Sequence, residues 1–206
     1  ASLLLLRAPV LVRLGRSTEA LQAAERAVAL LETREPDRHS FLGDAYSSLA
    51  FVHDALGDAA AERAATERAL HHHEAAFGAV HPQIAVDLFN LAGIDIVAGN
   101  NEAAVGPLTR SVEVLRQTLG PNHFYTLEAA ERLAGLHHDV GELEAGIATL
   151  REMVAAIEEH GGPMDAKLGQ PLRKLAAMTA DAGDIPEALA LARRSIAIMR
   201  DRSTNL

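Results

Sequence analysis

The sequence predicts an all-α fold: five stacked helix-turn-helix repeats, about ten antiparallel helices in a single solenoid domain. Three observations predict it. Glycines stand at Gly15, Gly57, Gly99, Gly141 and Gly183, a constant stride of 42 residues. Alanine lies seven residues before each (Ala8, Ala50, Ala92, Ala134, Ala176), and leucine eight before in four repeats (Leu49, Leu91, Leu133, Leu175), with Arg7 in the first. Of the 206 residues 49% are hydrophobic but only 3% aromatic, which suits closely packed Ala- and Leu-rich helices better than aromatic, β-branched strands.

This register divides the chain approximately at 1–36, 37–78, 79–120, 121–162 and 163–206. In each repeat one helix leads up to the glycine and a second follows it. The first repeat opens on Ala1-Ser2-Leu3-Leu4-Leu5-Leu6. It has no basic start, is interrupted by Arg7 and Arg13, and keeps the register, so it reads as helix rather than secretory leader. No initiator Met is present, and the chain is expected to be a piece of a longer protein.

Spacers separate the repeats. His39, His81 and His123 recur at the same stride, with Asp165 in the fourth register, and Gly78, Gly120 and Gly162 precede the last three by three residues. Glycine closes a helix in the left-handed conformation, and proline at a first helical position costs no useful hydrogen bond. One helix therefore ends near Gly78 and the next starts near Pro82, continuing through Ile84 to Ala92. The second helix of the third repeat contains Gly106-Pro107, which predicts an interruption, a kink near 103–107, costing about 3 kcal/mol if unrelieved. In the fourth repeat Glu144 to Ile157 carries Ile147, Leu150, Val154 and Ile157 at three- and four-residue steps. In the fifth, Asp184 and Glu187 resemble a capping box, with Pro186 in the first turn. Its last helix has two apolar tracks, Leu189-Ile196 with Met199 and Leu191-Ile198, one to pack inward and one to lie bare. No such pair buries its apolar face alone; stacking supplies the core.

Leu-Ala, glycine seven after that alanine, and alanine five after the glycine (Ala20, Ala104, Ala188) resemble the tetratricopeptide repeat. The 42-residue period, the Gly-x-x-His-Pro link, Asn90-Leu91-Ala92 and Arg110 resemble the subclass of kinesin light chains and many bacterial regulators. This resemblance covers essentially the whole chain. It implies a right-handed α-α superhelix and a scaffold that binds a peptide or partner segment within a larger regulatory or signalling protein. The sequence departs from the family at His53, Asp95, His137 and Thr179, where an aromatic is usual, and at Glu62, where a small residue is usual.

In the resembling family the groove-facing residues lie on the first helices, six, nine and ten before the turn glycine, with others two and three before. Carried onto this chain, those positions include Leu5, Leu6, Ser47, Ser48 and Phe51; then Phe89, Asn90, Ile96 and Val97; then Glu131, Arg132, His138 and Asp139; then Arg173 and Lys174. Phe51, Phe89 and Ile96 would hold an apolar side chain, Asn90 a peptide backbone, and Arg132, Arg173 or Lys174 a carboxylate. The competing reading places the phenylalanines in the core and makes the cations a solvated face.

Other chemistry is not indicated. Neighbouring residues on a helix point about 100° apart, so His71-His72-His73 cannot converge on one ion. Phe77 stands where a metalloprotease helix would carry its second histidine. His137-His138-Asp139 is read as no better, since the next repeat's first helix offers no evident further ligand. The spacer histidines read as helix-start residues. The chain has no cysteine, no phosphate-binding loop and no Ser-centred elbow, so no catalytic, metal or cofactor site is expected and the protein is read as a non-enzyme. A net charge of -9 argues against nucleic acid, and no apolar run is long enough for a membrane span. The absence of cysteine fits a reducing compartment, the cytoplasm. Three functions stay open: a peptide groove, an effector-sensing segment hinged at Gly106-Pro107, and a self-associating homo-oligomeric scaffold using its uncapped terminal helices, including Leu3 to Leu6.

Overall fold

The computed structural model describes residues 2–204, with side chains from Leu4 to Arg200. The expectations placed on the Leu3 side chain and on the stop at Leu206 lie outside the described residues. Among these residues there are ten α-helices, a single 3-10 turn and no strand.

The chain forms two compact units, 1–100 and 101–206. The first holds α1 (Ser2–Arg13), α2 (Ser17–Arg34), α3 (His39–Leu56), α4 (Ala59–Phe77) and α5 (Pro82–Val97). The second holds α6 (Asn101–Leu119), α7 (Phe124–Asp139), α8 (Leu143–Gly161), a 3-10 turn (Ala166–Leu168), α9 (Gly169–Asp181) and α10 (Ile185–Thr204).

Local sequence sets the boundaries. Both glycine registers take positive φ, from 71° at Gly15 to 92° at Gly120, a region glycine enters without a Cβ clash. His81 and His123 cap α5 and α7, each ring accepting a backbone N–H two residues on, and Asp165 caps the 3-10 turn in the same way. His39 differs: it lies inside α3 after Arg38, and its ring turns to His72. The Glu187 amide donates to Asp184 at 3.1 Å, as the capping signature requires. The 3-10 turn has no counterpart in the sequence reading. Pro171 lacks an N–H for the first turn of α9, and the backbone before it tightens to i+3 bonding.

The recurrent alanines Ala8, Ala50, Ala92, Ala134 and Ala176 are all buried, so small side chains sit where helices approach. In the first unit Ala8 and Leu11 of α1 pack with Ala20, Ala23 and Ala24 of α2 and with Val52 of α3. In the second, Ile147, Val154 and Ile157 of α8 share a cluster with Leu168, Leu172 and Leu175, so the following helix covers one face of α8.

Gly106-Pro107 does not break its helix. α6 runs from Asn101 to Leu119, which corrects the expected interruption. Pro107 removes the donor for the Ala103 carbonyl, but Ala103 is exposed to water, and Gly106 has no Cβ to clash with the proline ring. The polar residues at the aromatic positions are mostly satisfied by side chains or local backbone. Asp95 is buried and paired with Arg63 of α4; His137 Nδ1 meets Glu142 at 2.7 Å; the Thr179 hydroxyl donates to the Leu175 carbonyl.

Candidate functional site

On the first unit, α3 and α5 carry the expected apolar positions. Phe51 is 42% exposed, which removes it from the core. Phe89 and Ile96 are half-buried, Asn90 is exposed and Val97 is largely bare. The Ser47 and Ser48 hydroxyls, on the same helix as Phe51, are buried without a hydrogen-bond partner. α3 and α5 thus expose one prominent aromatic, Phe51, and the Asn90 amide.

On the second unit, α7 and α9 carry the expected cations, and they are not equivalent. Lys174 is half-buried, with Nζ 2.6 Å from Glu131 Oε1. Its charge is therefore already answered by another residue expected in the groove. Arg173 is exposed, and its Nε donates to Gln170 Oε1 at 3.0 Å, leaving its terminal nitrogens directed away from that bond. Arg132 is exposed on α7. None of these residues lines the cavity of about 280 Å³ on this unit, which Arg116, Thr126, Leu127, Glu152 and Met153 help to form.

The histidines adopt roles the sequence did not disclose. His73 of α4 is fully buried, and its Nδ1 lies 2.6 Å from Asp87 Oδ2 of α5. Gly43 of α3 makes the space: a Cβ there would stand 2.2 Å from the imidazole Cδ2. Burial pushes the His73 pKa down, but the hydrogen bond and charge of Asp87, aided by Asp44, raise it above the ordinary value. His72 goes the other way, lowered by burial and then by His39, His71 and Arg68. His72 stacks between His39 and Tyr46, and its Nδ1 is 3.0 Å from that of His39. On α9, Asp181 Oδ2 lies 3.2 Å from Nε2 of His138, a contact the sequence did not make evident. Among the described residues no three such groups gather as metal ligands.

A further pattern escaped the sequence reading. Successive second helices are joined by ion pairs 36 residues apart: Glu32 with Arg68, Arg116 with Glu152, and Arg151 with Glu187. Glu158 and Arg194 make another. The signal was present as opposite charges at one spacing, but many such pairs stand in any charged sequence, and only helix positions select these.

These features define a helical-repeat protein whose groups are spread along helix faces rather than gathered in one cleft. The fold is that of the tetratricopeptide-like repeat proteins, of kinesin-light-chain type. It matches a Podosopora anserina kinesin light chain with nearly identical TPR-like repeats, at 20% identity and a TM-score of 0.78 over 97% of this chain and 94% of that one. It matches BtubC (BKLC) from P. vanneervenii at 22% identity and 0.74, over 95% and 78% of the two chains. MamA is similar at 11% identity and 0.65, over 96% of each. No protein-family model matches the sequence, nor does any curated protein. Among the described residues no helix is long and apolar enough to cross a membrane.

Proposed function

We propose that the chain is a non-catalytic protein-interaction scaffold that holds extended peptide segments on its first helices, as part of a larger regulatory or signalling protein of the cytoplasm. The observation that carries this reading is Phe51: a phenylalanine exposed on a first helix, at a position where the resembling family faces its ligand. Phenylalanine is enriched at protein–protein interfaces relative to the rest of a protein's surface. On the second unit, the exposed guanidinium groups of Arg132 and Arg173 have the fork geometry that suits a carboxylate, and Lys174 is paired with Glu131. The preferred ligands are therefore apolar-anchored segments on the first unit and, on the second, segments with acidic residues or a free C-terminus.

The test is a fluorescence titration of a peptide panel, matched in length and apolar content and varied in charge. Acidic members should bind better than basic ones. Arg132→Glu should weaken binding of the acidic members to the second unit about tenfold or more, and Phe51→Ala should weaken binding of the apolar anchor to the first. Equal affinity for acidic and basic peptides in wild type and Arg132→Glu alike ends the proposal.

A further inference from the structure

In the first unit α3 packs against both α2 and α4, and in the second α7 packs against both α6 and α8. The space over the two first helices is filled differently. Over α3 it holds the ring of Tyr46, stacked on His72 of α4 with centroids 5.6 Å apart and planes 10° apart. The Tyr46 hydroxyl donates to Glu32 Oε1 of α2 at 2.5 Å and accepts from Arg68 Nη2 of α4 at 3.1 Å. It thereby joins the ion pair of those two residues, which are themselves 3.2 Å apart. A phenol is held there by a ring on its face and an ion pair at its outer end.

Two repeats on, the register sets Arg116 and Glu152 at the places of Glu32 and Arg68, and Ala130 and Ala156 at the places of Tyr46 and His72. The ion pair is kept with its charges exchanged, Nη2 lying 2.9 Å from Oε2. Both rings are gone. The same two places hold Leu88 and Val114 in the third repeat and Leu172 and Ile198 in the fifth, so alanine at both belongs to the fourth repeat. Leu172 and Ile198 are buried in one apolar cluster. Where the alanines stand, a cavity of about 280 Å³ opens, bounded by Ala130, Ala156, Leu127 and Met153 with Arg116 and Glu152 at its edge. Thr126 in its wall makes no demand on a ligand, since its hydroxyl donates to the Gly120 carbonyl at 2.8 Å.

We propose that this cavity binds a free small phenol, its ring between Ala130 and Ala156 and its hydroxyl between Arg116 and Glu152. The alanine Cβ and a phenol together reproduce the tyrosine that the first unit carries at this place. Apolar cavities left by a missing side chain take up benzene-sized rings, and this volume suits a ligand smaller than a drug. The exchanged charges do not matter, because a hydroxyl donates to Glu152 and accepts from Arg116 equally well. A carboxylate would be repelled by Glu152 and an ammonium by Arg116. A tyrosine side chain of a partner would enter hydroxyl first, toward the buried Leu127 and Met153 and away from the ion pair, which leaves its hydroxyl unpaired. The site lies apart from Phe51, Arg132 and Arg173 and does not rest on the peptide reading.

The experiment is a titration of the full chain with phenol, followed by amide NMR shifts and by the rise in Tm that binding to the folded state gives. The shifts should centre on α7 and α8 around Ala130 and Ala156. Toluene, of similar size but without the hydroxyl, should bind about tenfold more weakly, and so should phenol to Glu152→Ala. Ala130→Tyr and Ala130→Leu restore the side chains that other repeats carry, and each should abolish binding. Circular dichroism establishes that both variants keep their helicity. Absence of saturable binding, toluene equal to phenol, or shifts unchanged by both fillings overturns the proposal. A tyrosine-containing peptide that binds the cavity more tightly than phenol overturns it equally, by giving the site to a partner's side chain.

Discussion

His73 is the residue on which most of the first unit's chemistry converges. An imidazole with no exposed surface would be an uncompensated polar group without Asp87, and Asp87 is itself buried. Asp44 on α3 is the other charge facing it, with Nε2 and Oδ1 3.5 Å apart. Because the folded pKa of His73 is raised, its contribution to stability is fully present below the unfolded value of about 6.5 and is lost as pH rises through the folded one. His72, faced by His39 and Tyr46 from α3, Glu32 from α2 and its neighbours His71 and Arg68, has a lowered pKa. Its contribution is present above about 6.5 and is lost as pH falls through the folded value. Thermal stability should therefore pass through a maximum between the two. Asp87→Asn should flatten the alkaline decline and His72→Gln the acid one, read as Tm from pH 5 to 8.5. A profile identical in Asp87→Asn and wild type would remove His73 as the cause.

At the scale of the element, α6 tolerates a proline seven residues into its length. Pro107→Ala restores a donor to the Ala103 carbonyl and relieves the ring, and should raise stability by about 1–3 kcal/mol. The urea midpoint should move up with its slope unchanged, whereas a fall would show that the half-buried ring packs better than it obstructs. Helix boundaries were legible because their determinants are local: Gly78 ends α4 and His81-Pro82 starts α5 within a few residues of chain. What was not legible depends on atoms from distant helices. Lys174 reads as an available cation until Glu131, 43 residues earlier, is found 2.6 Å away. Gly43 leaves room for the His73 ring, which no local signal in α3 discloses. The polar residues at the aromatic positions conceal their partners in the same way, as with Asp95 and Arg63.

For the whole molecule, stacked repeats make stability a sum of local and nearest-neighbour terms, so damage should fade with distance along the chain. Asp87→Ala leaves His73 buried without its partner, a loss of about 3 kcal/mol. Hydrogen exchange should quicken most in α3, α4 and α5 and least in α8, α9 and α10. Equal acceleration throughout would show a single cooperative block. The 36-residue ion pairs add a last consequence. They clasp second helix to second helix through part-exposed side chains, whose attraction electrolyte screens, while the apolar seams between repeats are tightened by salts that are excluded from protein surfaces. In strong brine each unit slackens where these pairs bridge its second helices and firms along its seams, so ionic strength acts on it as a lever rather than as a uniform load.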